Sequence, residues 1–76
     1  MPFDPRKSSL HFGQAVRELR KKEGISQLAL AERADLSLTY VSELERGMSS
    51  PSLDTIIRVG RAFGTSGSDL LRRAGI

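Results

Sequence analysis

The sequence predicts an all-α fold of five short helices, and three observations predict it. Apolar residues recur at helical spacing in five separate stretches, while no stretch carries a strand signal. Most of these stretches open on a serine and close on a glycine or an aspartate, residue types that start and stop helices. The length, 76 residues of which 38% are hydrophobic and 28% charged, allows one modest core and no second domain. With no cysteine in the chain, neither a disulfide framework nor a thiolate metal site braces it, and helix packing must supply the core.

Residues 1–8 hold Pro2, Pro5, few apolar groups and the basic pair Arg6 and Lys7, and they read as a flexible arm ahead of a domain spanning 9–76. From about Ser9 to Glu23, Phe12, Ala15, Val16 and Leu19 form the stripe of an amphipathic helix, with Arg17, Glu18, Lys21 and Lys22 opposite and Gly24 as its stop. The second helix, about Gln27 to Ala34, is capped by Ser26, stapled by Ile25 and Leu30, and turns Leu30, Ala31 and Ala34 inward. Asp35 ends it, because a short polar side chain tolerates the left-handed backbone of a tight corner.

The third helix, about Leu38 to Arg46, repeats the pattern: Ser37 caps it, Leu36 and Val41 staple it, Val41 and Leu44 point inward, and Gly47 closes it. Ser52 caps a fourth helix with Asp54 in its first turn, and Leu53, Ile56, Ile57, Gly60 and Phe63 form its apolar stripe up to Gly64. A last helix, about Ser68 to Ala74, packs Leu70 and Leu71 and places Arg72 and Arg73 near its carboxyl end, where the dipole favours cations.

Helices two and three, joined by one tight corner, spell a helix-turn-helix. Leu38, Thr39, Ser42, Glu43 and Arg46 cover a short, polar outward face suited to a DNA major groove about 12 Å wide. The competing reading of that face is an ordinary solvated surface. A formal charge of +3 and a pI near 10.0 favour a polyanionic partner without requiring one.

Other function classes find little support. The longest apolar run, Leu28 to Ala31, falls far short of the roughly 20 residues that span a bilayer, and the amino terminus lacks a signal-peptide core, so the sequence reads as cytoplasmic. His11 is the only histidine, with no cysteine or acidic cluster beside it, which argues against a metal site or a cofactor. No nucleophile–base pair and no phosphate-cradling glycine loop suggests an enzyme.

The words Arg17-x-Leu19-Arg20, Gly24-x-Ser26-Gln27, Leu30-Ala31, Tyr40-Val41-Ser42, Glu45-Arg46-Gly47 and Pro51-Ser52-Leu53 keep their order and spacing together over about residues 10 to 71. In this they resemble the phage-repressor (Cro and XRE) family of helix-turn-helix regulators, and within it the controller proteins of restriction-modification systems. The resemblance implies a transcriptional regulator that binds double-stranded DNA as a homodimer on a palindromic operator. It further implies that Leu38, Thr39, Ser42 and Glu43 read bases, while Ser26, Gln27, Ser37, Tyr40, Arg46, Ser49 and Ser50 meet the DNA backbone. Leu38 stands where the family has a polar or basic residue, and Met48-Ser49-Ser50 where it often has a cation, so contact with a thymine methyl and hydroxyl-mediated phosphate contacts are expected instead.

Arg20 and Glu45 flank the seam between the first and third helices and are expected to form a structural ion pair. Val59, Leu71 and Ile76 lack an obvious core partner and mark the expected dimer surface. The alternative to a DNA-binding regulator is a protein-interaction module of the antitoxin or coactivator type, with DNA binding secondary.

Overall fold

A computed structural model describes residues 2–76. They form α1 (Pro5–Lys22), α2 (Gln27–Ala34), α3 (Leu38–Glu45), α4 (Leu53–Ala62) and α5 (Gly67–Arg73), with a Cα radius of gyration of 11.3 Å. The expected all-α architecture is what the chain adopts, and the described residues contain no strand.

The first helix starts earlier than expected. Asp4 is its N-cap, its carboxylate accepting from the Arg6 N–H at 3.0 Å, and Pro5 occupies the first helical position. Proline fits there because its fixed φ is already helical and its missing N–H would have had no partner. Residues 5–8 therefore belong to α1 rather than to an arm, and Ser9, expected near the start of the helix, is a buried residue within it whose hydroxyl meets that of Ser50 at 3.2 Å.

Ser26, Ser37 and Ser52 cap α2, α3 and α4 through side-chain oxygens that accept from Ala29, Tyr40 and Thr55 N–H groups. Ser66 does the same for α5, which begins at Gly67. Asp35 takes the left-handed conformation, φ 56°, that lets α2 stop and α3 turn away within three residues. At the far end of α3, Gly47 (φ 73°) bonds back to Leu44 and Met48 bonds to Glu43, so the exposed carbonyls of the last turn are met within the chain.

The core is built from all five helices: Phe12, Val16, Leu30, Val41, Leu44, Val59 and Leu70 are its largest fully buried side chains. Two expectations for α4 need correction. Leu53 and Ile57, read as part of an inward stripe, are 73% and 38% exposed, whereas Val59, read as a dimer-surface residue, is fully buried. The reason lies in how α4 docks. It turns Thr55 and Val59 into the core, with Ile56 and Phe63 packed at the margin, and this leaves the Leu53–Ile57 edge outside.

Helices α1 and α3 approach more closely than side chains allow. A Cβ at Gly13 would stand 2.9 Å from the Glu45 carbonyl oxygen and nearer still to that of Leu44. Glycine is required by the approach of two backbones, and the buried position of Gly13 seats α1 on the last turn of α3.

Candidate nucleic-acid interface

The outward face of α3 is positioned from three sides. Behind it, the Arg20 guanidinium grips the Glu45 carboxylate twice, Nε to Oε2 at 2.6 Å and Nη2 to Oε1 at 3.0 Å. Its Nη1 also donates to the Ile25 carbonyl at 3.0 Å, so one cation ties α1 to the start of α2 and the end of α3. The Glu45 side chain is 3% exposed and the Arg20 side chain 13%, which confirms the expected structural ion pair. The hydrogen bond to Glu45 raises the Arg20 pKa above its ordinary value; burial opposes the shift and Coulomb attraction adds to it.

The second side is the corner. Arg58 on α4 donates to the Asp35 carbonyl at 3.0 Å and lies 3.5 Å from its carboxylate, pinning the turn between α2 and α3 to the body of the domain. The third is α4 itself, where the Tyr40 hydroxyl meets Thr55 Oγ1 at 3.2 Å and Ser52 Oγ donates to the same atom at 3.1 Å.

On this frame Leu38, Thr39 and Arg46 are exposed, and Ser42 and Glu43 half-exposed, on one outward surface of α3. Arg46 Nε reaches back to the Ser42 carbonyl at 3.4 Å, which leaves the remainder of its guanidinium facing solvent. Ser26 and Ser37 are exposed at the first turns of α2 and α3, but their hydroxyl oxygens are occupied as caps.

Three residues assigned to the backbone-contacting set sit differently from a free polar side chain. Gln27 donates from Nε2 to Glu45 Oε1 at 3.0 Å, so one of its two amide N–H groups is already committed and the amide is fixed in orientation. Tyr40 is half-buried and its hydroxyl meets Thr55 Oγ1, a contact that holds α3 against α4. Ser50 shares its hydroxyl with Ser9, while Ser49 is half-exposed in the loop after α3.

Sequence reasoning missed Gly13, Arg58 and the Gln27–Glu45 bond. Each is a contact between residues 18 to 32 positions apart whose own neighbourhoods are unremarkable. Among the described residues no group of histidine, cysteine, aspartate or glutamate is arranged to hold a metal ion, and no helix is long and apolar enough to cross a membrane.

Two short capped helices at a fixed corner, the second with an uncluttered polar face, define a helix-turn-helix domain. The helix-turn-helix family profile matches residues 16–70, and the chain belongs to this Cro/XRE-type family of DNA-binding transcription regulators. It is 46% identical over 63 residues to the control protein C.BamHI of Bacillus amyloliquefaciens, covering 82% of this chain and 78% of that one. Among solved structures, the restriction-modification controller protein C.AhdI of Aeromonas hydrophila superposes with a TM-score of 0.77 at 38% identity, covering 80% of this chain and 92% of the other. The clp gene regulator ClgR of C. glutamicum gives a TM-score of 0.83 at 35% identity over 90% of this chain and 87% of its own. The chain spans less than half the length of several longer curated regulators it matches.

Proposed function

We propose that this chain is a sequence-specific regulator of transcription that binds a palindromic operator as a dimer, each subunit laying α3 in a major groove. The observation that carries this reading is the outward face of α3. Leu38, Thr39, Ser42, Glu43 and Arg46 stand together there, while every other side of the helix is locked by Arg20–Glu45, Tyr40–Thr55 and the Arg58-pinned corner. A rigid platform that leaves one polar helix face free suits base reading, because base contacts discriminate only when their geometry is fixed.

In this docking Leu38 touches a thymine methyl, Thr39 donates or accepts, Glu43 accepts from a cytosine amine, and Ser42 lies beside them. Arg46, the second N–H of Gln27, and the hydroxyls of Ser49 and Ser50 meet phosphates without reading sequence. The dimer forms through the apolar edge Leu53 and Ile57 of α4 together with the neighbouring groove lined by Phe3, Ile56, Leu71 and Ile76. Two-fold symmetry then sets half-sites about one helical turn, roughly 34 Å, apart.

Selection of bound sequences from a random duplex pool tests the reading. The expected result is an inverted repeat whose bound complex contains two chains and whose affinity falls with salt. Equal recovery of all sequences, or capture of a single chain per duplex without symmetry, overturns it.

A further inference from the structure

We propose that the edge of α1 bearing Arg17 and Lys21 is a phosphate-binding ridge that follows one DNA strand beside the groove occupied by α3. The proposal rests on the DNA-binding reading above and extends it to a helix outside the helix-turn-helix.

The position of Arg17 follows from two anchors. Gly13 presses α1 against the Leu44 and Glu45 carbonyls, and Arg20, seven residues on, is bound to the Glu45 carboxylate. Residues spaced by three and four on a helix share a face, so Arg17, four after Gly13 and three before Arg20, leaves α1 along the same edge that lies on the end of α3. Lys21 follows one turn later, about 6 Å along the axis, next to the Arg20 contact with Ile25 that fixes the start of α2. At the other end of the edge, Leu10 covers Gly47, and Arg6 lies one turn before it. The ridge thus runs alongside the elements proposed to meet DNA: the end of α3, the loop after it and the first turn of α2.

The charges on α1 are sorted by side. Glu18 and Lys22 line a cleft with Ala15, Leu19 and Arg73 against α5. On the α3 side stand Arg17 and Lys21, both exposed, and among the described residues neither pairs with a carboxylate. Like charges one turn apart weaken a helix, so this pair returns nothing to the fold. An external row of phosphates compensates them. The ridge also answers the composition of the loop after α3, where Met48, Ser49 and Ser50 provide no cation.

The test compares Arg17→Gln and Lys21→Gln with Lys22→Gln, which removes the same charge from the α5 side of the helix. Affinity for the selected duplex and for a scrambled duplex is measured from low to moderate potassium chloride, with melting temperature as a check on folding. Each ridge variant is expected to lower the slope of log affinity against log salt by about 0.9, equivalent to roughly a threefold smaller loss over a fourfold rise in salt, equally on both duplexes. Lys22→Gln is expected to leave the slope unchanged. Should all three variants behave alike, the effect is net charge and the ridge is refuted. If the unaltered protein shifts no duplex, the DNA reading itself fails and the ridge with it; binding by the unaltered protein with unchanged slopes in both ridge variants refutes the ridge alone.

Discussion

Gly13→Ala places two opposing effects on one residue. In an isolated helix the change is favourable, since alanine is about 1 kcal/mol better than glycine in a helix interior. Here the added methyl stands 2.9 Å from the Glu45 carbonyl oxygen and much closer to that of Leu44, so α1 must retreat by about an ångström to reach ordinary contact with both. The obstructing atoms are backbone at the end of a helix, which cannot rotate away as a side chain would. Retreat also pulls Phe12 and Val16 from the core and stretches the 2.6 Å bond between Arg20 and Glu45. Overpacking costs about 1–3 kcal/mol, and against two backbone oxygens the cost falls in the upper part of that range, which leaves a net loss of about 1–2 kcal/mol after the propensity gain. For a domain of this size each kcal/mol moves the melting temperature by about 4–8 °C, so a fall of roughly 4–16 °C is expected in circular-dichroism melts. A melting temperature equal to or above that of the unaltered protein would refute the close crossing and return Gly13 to an ordinary helical position.

Arg20→Ala strands the Glu45 carboxylate with only Gln27 as a donor and should cost about 3–5 kcal/mol, read as a lowered melting temperature. The Arg20 pKa is raised on folding, so its contribution is whole below the unfolded arginine value and is lost only as pH rises through the higher folded one; the melting gap to Arg20→Ala should stay constant from neutral to mildly alkaline pH. Asp35→Gly removes a left-handed non-glycine residue and should leave stability equal or raise it by up to about 1 kcal/mol, while Asp35→Val should lower it, both measured by urea unfolding. Leu38→Ala, Thr39→Ala and Glu43→Ala should each cost about 1–3 kcal/mol on the selected operator and far less on random duplex, whereas Arg46→Ala should weaken both alike in titrations of the two. Replacing Leu53 and Ile57 together by serine should yield monomers in light scattering, with a melting temperature that no longer rises with protein concentration, because both side chains are exposed in the single chain and serve the dimer.

What the sequence displays and what it hides divide along a physical line. Ser26, Ser37, Ser52 and Asp35 were legible because a cap or a left-handed corner depends on atoms within a few residues of itself. Pro5 misled for the same local reason: proline breaks helices in their interior and begins them at their first position, and only Asp4 immediately before it distinguishes the two. In α4 the apolar residues Leu53, Ile56, Ile57 and Val59 cover more than one face, so periodicity alone cannot choose which edge meets the core. Packing against α2 and α5 chose Val59 and left Leu53 and Ile57 outside. Tyr40 shows the same limit within the candidate site, since its hydroxyl partner, Thr55, comes fifteen residues later.

The buried charge at the centre of the domain solves a problem that apolar packing leaves open. Leu30, Val41 and Leu44 hold α2 and α3 together, but apolar contacts are non-directional and tolerate small rotations of one short helix against another. Arg20 does not. Its planar guanidinium meets Glu45 at two atoms and the Ile25 carbonyl at a third, and Gln27 completes the remaining valence of Glu45 Oε1, so the start of α2 and the end of α3 are fixed in distance and in angle. No buried side-chain polar atom among the described residues is left without a partner, so this orientation carries no unmet desolvation cost. The substitution Arg20→Lys keeps the charge and loses the planar fork. It should therefore retain more stability than Arg20→Ala yet lose discrimination between operator and random duplex. Equal discrimination in Arg20→Lys and the unaltered protein would show that the angle between α2 and α3 is set by the apolar core alone.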